Sequence, residues 1–352
     1  MNAGAPDTRS LDPSTPDLSP SPLRIGLVGL GRWGRNYVKT LLALPECQLV
    51  ALADKDAATR ARIAGETAIS VRESADELLS DPTIRALVIA TPDRTHFSLA
   101  SAALAAGRDV LVEKPMTLAV SEAETLIRQA KDNKGVLAVG HTAVYSADLK
   151  LLRARLAALP RVAPRNAVAE RTSSGPSAGQ SPIANRQSSI LFDLCPHDIA
   201  LAVLLFGNPV AASANSSGSS VEYEVRFEDD TLLSGHAEWR EPPHIRRFEV
   251  AGAEELTEPA NPTSAERQSP VAIRHSPLGR QCLDFIESCR TRRQPLSNGR
   301  VGLAVIRCVS ALAASCTDSN AWVPLSQELR RTNAERRTPD LRLRTSNFGV
   351  RT

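Results

Sequence analysis

Short apolar runs separated by turn residues set the pattern of the first 145 residues. Stretches 23–28, 48–53, 84–90, 109–113 and 136–139 each read as a buried strand, dominated by Val, Ile, Leu and Ala. Between them apolar side chains recur at helical spacing: Tyr37, Val38, Leu41 and Leu42, then Phe97, Ala100, Ala103 and Leu104. A Ser121-Glu122-Ala123-Glu124 capping box opens a further helix, while Gly107 and Gly135 close two. Strand and helix alternating in this way predict an α/β domain over 23–146, a doubly wound parallel sheet with right-handed crossovers.

From residue 148 the pattern changes. A helix over 149–159 precedes a strand at 166–171 and a Ser/Gly/Pro/Gln-rich loop at 172–189. The next apolar stretch predicts a helix from about residue 191, which tolerates Pro196 near its first turn and puts Asp193 and His197, four apart, on one face. Val221, Tyr223, Val225 and Phe227 then alternate with polar residues, as do Leu233, Gly235, Ala237 and Trp239 after an Asp229-Asp230 turn, and 247–250 continues the style. Alternation of period two indicates antiparallel strands with one face wet or covered by a partner. Two apolar helices follow, one opening at Ser276-Pro277 and one at 301–314. The expectation is a C-terminal α+β domain over 147–326 with an open, largely antiparallel sheet, flanked by a disordered tail at 1–22 and an Arg-rich tail at 327–352.

Composition narrows the classes. A length of 352 residues favours two domains. The net charge of +3 is concentrated at the C-terminal end, where seven Arg face three acidic residues over 327–352, so the body demands no polyanionic partner. The tail reads as a solvated or partner-covered end rather than a nucleic-acid arm. Six cysteines without a C-x-x-C pair fit neither a zinc site nor a disulfide framework, and a reducing cytoplasm suits them. No metal is expected. The first 22 residues lack the basic and apolar regions of a secretory leader, and no apolar run approaches the roughly 20 residues that cross a bilayer.

Candidate chemistry lies at strand ends. Gly29-Leu30-Gly31-Arg32-Trp33-Gly34 joins the first strand to the first helix, the context in which a G-x-G-x-x-G turn lets a pyrophosphate approach the backbone and the helix N-terminus. Asp54 ends the second strand, where a carboxylate takes the adenosine ribose hydroxyls and repels a 2′-phosphate. This favours NAD over NADP, with Lys55, Arg60 and Arg62 keeping NADP open. Thr91-Pro92 leaves the third strand on the same side, and His96 enters the next helix as either a cofactor neighbour or a packed cap. Glu113-Lys114-Pro115 delivers an ammonium at a strand end through a stiff turn, in a chain whose basic residues are mostly Arg and include only six Lys. The Asp193/His197 pair is either a carboxylate orienting an imidazole or a capping Asp beside a half-buried His.

Taken together, these motifs, with Ala90-Thr91-Pro92 and Asp193-Leu194-Cys195-Pro196-His197-Asp198, resemble the Gfo/Idh/MocA oxidoreductases from Leu23 to about Leu325. The resemblance implies a Rossmann domain with an open-sheet partner domain, and hydride exchange between NAD and a sugar or cyclitol carbon. It carries catalytic roles onto Lys114, Asp193 and His197, and cofactor contacts onto Gly29, Gly31, Arg32, Trp33, Gly34, Asp54, Thr91, Pro92, His96, Glu113 and Lys114. Expected substrate contacts are Lys114, Tyr145, Asn185, Arg186, Asp193 and His197. It also implies a cis Lys114-Pro115 peptide. The Gly-Arg-Trp-Gly-Arg-Asn start, the Gly140-His141-Thr142 stretch with Tyr145 and the Cys-Pro-His-Asp-Ile form look most like nucleotide-sugar 3-dehydrogenases of the UDP-N-acetylglucosaminuronate type. Rival readings are a free-sugar, inositol or sugar-phosphate dehydrogenase of the same family and a non-catalytic dinucleotide sensor. A homodimer or homotetramer is expected, with no nucleic-acid or membrane partner.

Overall fold

The computed structural model describes residues 21–158, 165–175, 186–253, 256–257 and 269–325. Outside them lie Asn185, nearly all of the expected N-terminal tail and the whole C-terminal tail. The strands are β1 (Leu23–Val28), β2 (Cys47–Ala53), β3 (Ser70–Arg72), β4 (Ala86–Ile89), β5 (Asp109–Glu113), β6 (Leu137–Gly140), β7 (Asn166–Ser173), β8 (Pro209–Ser217), β9 (Ser220–Phe227), β10 (Leu232–Trp239), β11 (Arg246–Val250), β12 (Leu256–Thr257) and β13 (Val323–Pro324). The helices are α1 (Arg32–Leu42), α2 (Ala57–Glu66), α3 (Ala75–Leu79), α4 (His96–Ala105), α5 (Val120–Asp132), α6 (Ala147–Ala158), α7 (Arg186–Asp193), α8 (Cys195–Phe206), α9 (Pro270–His275), α10 (Pro277–Thr291) and α11 (Gly299–Thr317).

The first unit comprises Met1–Thr117, Glu122–Tyr145 and Asn261–Gly299. Its six strands run in the order β3-β2-β1-β4-β5-β6, every pairing parallel. Residues of β4, β5 and β6 are buried throughout, as an apolar run covered on both faces requires. Helix α1 turns Tyr37, Val38 and Leu41 onto this sheet.

Among the described residues, 269–299, expected in the second domain, fall in the first unit. Ser276 caps α10 by accepting the Gly279 N–H at 3.0 Å, and Cys282, Phe285, Ile286 and Cys289 enter the same core as Ile25, Leu27, Tyr37 and Leu41. Truncating Phe285, buried to 1% exposure, would cost about 3–5 kcal/mol.

The second unit comprises Leu118–Ser121, Ser146–Ala260 and Arg300–Thr352. Its seven-stranded sheet has the order β12-β11-β7-β10-β9-β8-β13 and is antiparallel except for β7 against β10. The alternation read along β9 holds, with Val221, Tyr223, Val225 and Phe227 all buried. Helix α11 is long and apolar enough, by length and composition, to cross a membrane, contrary to the expectation that no run approached this. Here it packs as a core helix: Val305, Cys308, Val309 and Leu312 have no more than 0% exposure, and Ser315 Oγ takes the Ala214 N–H of β8 at 3.0 Å.

The loop expected to reach residue 189 and the single helix expected from 191 are replaced by two helices, α7 and α8, broken at Leu194. Pro196 is the reason. It has no N–H to give the carbonyl four residues back and its ring crowds that position, so it is compatible with the first turn of a new helix but not with the continuation of α7. Asp193 therefore ends one helix and His197 lies in the first turn of the next, rather than both lying within one helix.

Candidate active site

The sheet order reverses between β1 and β4, and two loops meet there. Gly29 follows β1 at φ +92°, and a Cβ on it would lie 2.5 Å from the Ala90 carbonyl oxygen after β4. A Cβ on Gly34 would lie 1.8 Å from the Gly29 oxygen, so turn and helix can approach only without side chains. Around Gly31, by contrast, a Cβ meets nothing within 4 Å. Helix α1 starts at Arg32 with no side-chain cap bond and no acidic residue in its first turn, which leaves its dipole end suited to a diphosphate. Arg32 and Trp33 are exposed beside it.

Asp54 is tied to this turn. Its Oδ2 accepts the Leu30 N–H at 2.6 Å and its Oδ1 accepts the Asp56 N–H at 2.9 Å, which fixes the carboxylate at the tip of β2. Arg60 donates to the Asp54 and Lys55 carbonyls at 3.0 and 2.9 Å and stands 3.6 Å from Glu73. This residue, one of three that kept a 2′-phosphate open, is thus engaged by its own loop.

His96 braces two strand ends. Its ring is buried, with Nδ1 2.7 Å from the Pro115 oxygen and Nε2 2.9 Å from the Thr91 oxygen. Both nitrogens are taken by backbone, so the expected cofactor contact is revised to a support for the Thr91-Pro92 and Lys114-Pro115 loops. Glu113 is revised in the same sense: it is 6% exposed, with Oε1 accepting the Tyr37 hydroxyl at 2.7 Å and Oε2 the Lys114 N–H at 3.1 Å. Burial holds its carboxyl above the usual carboxylate range against the opposing pull of Tyr37, Lys114 and His96. Half-buried Lys114 itself follows β5, and its peptide to Pro115 is cis, as the family resemblance implied.

On the neighbouring strand, Gly140 pairs with Glu113, so His141 follows beside Lys114. His141 is buried with Nδ1 2.9 Å from Ser297 Oγ, and burial, with the Lys114 charge adding to it, lowers its pKa to about 3. Tyr145 was expected to meet substrate. Its hydroxyl instead donates to Asp284 Oδ2 at 2.8 Å and accepts the Ser297 N–H at 3.2 Å, and the residue is 7% exposed, so that assignment is withdrawn.

In the second unit, Asp193 and His197 flank the α7–α8 break, both half-buried. The next residue, Asp198, has 0% exposure and takes the Arg171 guanidinium of β7 at 3.0 and 3.1 Å through Nε and 2.7 Å through Nη2. This pair nails the first turn of α8 to the sheet. The sequence reading missed it; the only signal was an acid directly after the motif histidine. Arg186 opens α7, its side chain outside the described residues, while Asn185 lies outside them altogether.

A parallel six-stranded sheet of this order, with a glycine turn and a carboxylate-tipped second strand at its switch point, defines a dinucleotide-binding Rossmann protein. Residues 23–141 match the model of the GFO_IDH_MocA family, described as an oxidoreductase family with an NAD-binding Rossmann fold. The chain is 35% identical over 188 residues to the UDP-N-acetylglucosamine 3-dehydrogenase of Acidithiobacillus ferrooxidans, covering 53% of this chain and 55% of that protein. It is 30% identical over 196 residues to an inositol 2-dehydrogenase of Rhizobium meliloti, covering 55% and 58%. The chain thus spans about half the length of these curated relatives. Over 90% of this chain and 100% of the other, the fold matches that of GenD2 from gentamicin A biosynthesis, solved in complex with NAD, with a TM-score of 0.76 at 23% identity.

Proposed function

We propose that this protein is an NAD-dependent dehydrogenase acting on a ring CH–OH group, C3 in our reading, of a sugar or nucleotide sugar. The observation that carries the reading is Lys114, presented at the end of β5 in the sheet whose switch point holds the glycine turn and Asp54. Gly29, Gly31 and Gly34 with the first turn of α1 would hold the cofactor diphosphate, Asp54 its adenosine ribose, and Arg32, Trp33, Thr91 and Pro92 would border it. When bound, NAD supplies the hydride acceptor.

The chain's own groups supply the rest. In this reading the Lys114 ammonium donates a hydrogen bond to the reacting oxygen and stabilises the negative charge that grows there. His197 takes the hydroxyl proton, and Asp193 orients its imidazole or accepts from a neighbouring hydroxyl. Arg186 and Asn185 are proposed substrate contacts on the approach to α7.

The 35% identity to a nucleotide-sugar 3-dehydrogenase favours this substrate class, and the 30% identity to an inositol 2-dehydrogenase supports cyclitols as the second reading. Nicotinamide reduction across UDP-sugars, dTDP-sugars, free sugars and inositols separates them: turnover kept after the nucleotide is removed selects the second. Lys114→Met is expected to lower kcat by about a hundredfold to a thousandfold. Full turnover in that variant would overturn the catalytic assignment.

A further inference from the structure

Behind Glu113 runs a chain of hydrogen bonds that the proposed chemistry does not use. Thr142 Oγ1 donates to Gln281 Oε1 at 3.0 Å, Gln281 Nε2 donates to the Tyr37 hydroxyl oxygen at 2.7 Å, and that hydroxyl donates to Glu113 Oε1 at 2.7 Å. Tyr37 is 0% and Gln281 1% exposed, so these groups answer to one another rather than to solvent. The members come from α1, β5, the turn after β6 and α10, all within the first unit.

The direction of the chain matters. A tyrosine hydroxyl has one proton; with Glu113 receiving it, the phenol oxygen is left to accept, and Gln281 turns its amide N–H toward that oxygen. Glu113 sets that turn from the other end: an ionised carboxylate can only accept, which commits the Tyr37 proton to it and leaves the phenol oxygen to accept the Gln281 amide N–H, while the Thr142 hydroxyl meets the amide oxygen that remains. With the amide reversed, Gln281 would take the Tyr37 proton and the carboxylate would lose its only side-chain donor among the hydrogen bonds described. We propose that Tyr37 and Gln281 are positioning residues that aim a donor at Glu113 and so keep its carboxylate the negative partner of Lys114. This rests on the reading of Lys114 as the group that meets the reacting oxygen.

Burial and the Glu113 charge push the Tyr37 hydroxyl well above its ordinary pKa, so it acts as a proton-holding donor throughout the working range. For Glu113, burial raises the pKa and the Tyr37 hydrogen bond is the largest opposing effect. Removing that bond therefore moves protonation to higher pH. A hydrogen bond to a charged group is worth enough to shift a titration by about one to two pH units.

Titration of the Glu113 carboxyl carbon, by NMR on protein labelled at glutamate and assigned with Glu113→Gln, tests this without turnover. Tyr37→Phe should move the titration up by about one to two pH units, and Gln281→Met, which removes only the N–H that the phenol oxygen accepts, should move it the same way by less. The acid limb of the kcat/KM profile should follow in both variants, with the plateau partly kept. An unmoved carboxyl titration in a folded Tyr37→Phe or Gln281→Met protein overturns the proposal. A carboxyl titration that moves while the kinetic profile stays fixed retains the positioning of Glu113 and overturns the role given to Lys114.

Discussion

Replacing Asp198 by Asn keeps the volume and removes the charge from a pair with 8% and 0% side-chain exposure. The loss is large because Arg171 makes three contacts of 2.7 to 3.1 Å to this one carboxylate and sits where water cannot take its place. Removing one partner of such a buried pair costs about 3–5 kcal/mol, a large share of the roughly 5–15 kcal/mol that holds a domain together. Urea unfolding followed by the fluorescence of Trp239 and Trp322 reads this as a midpoint lower by about 2 M at unchanged slope. The double change Arg171→Met with Asp198→Leu should recover most of the loss, since it removes both desolvated charges together. An Asp198→Asn midpoint within about 0.5 M of the wild type, or a double variant as unstable as both single changes added, would refute the claim that this pair anchors α8.

Three further outcomes follow from the first unit. His141, lowered to about 3 in the fold from 6.5, binds its proton first in the unfolded chain, so its contribution is fully present above about pH 6.5 and is lost as pH falls toward 3. Wild-type stability should carry a slope of up to about 1.4 kcal/mol per pH unit in that window that His141→Gln lacks, measured by denaturation at fixed ionic strength. Asp54→Ala removes the acceptor of the Leu30 N–H and the ribose carboxylate together, so calorimetry should show NAD binding weakened about tenfold or more and its preference over NADP reduced. Gly34→Ala, whose Cβ would overlap the Gly29 oxygen, should lose NAD binding more completely than Gly31→Ala, whose Cβ meets no protein atom within 4 Å.

How much of this was legible in the sequence depends on distance along the chain. The turn at 29–34, Asp54 and the end of β5 were readable because each is a local pattern whose meaning comes from the strand before it and the helix after it. Tyr37, Glu113 and Gln281 were not, since their partners are 76 and 244 residues away and each looks alone like an ordinary helix or strand residue. The same holds for α10: its apolar face announced a buried helix but not which core would receive it. Strand β8 escaped notice because 209–217 is mostly small and polar, without the β-branched alternation that marked β9. The misreading at 191–198 was of another kind. Pro196 was visible, but its tolerance at a helix start was applied to the wrong start.

The placement of α10 in the first unit also bears on the order in which the chain can mature. As the polypeptide emerges, the Rossmann sheet is complete by residue 140, yet the helix that covers Ile25, Leu27 and Tyr37 and supplies Gln281 arrives only after the residues of β7 to β12. A nascent chain halted near residue 150 would therefore hold an uncovered apolar face and a Tyr37 hydroxyl without its Gln281 donor. The cofactor half of this protein is, in that sense, finished only after most strands of the other unit's sheet have been made.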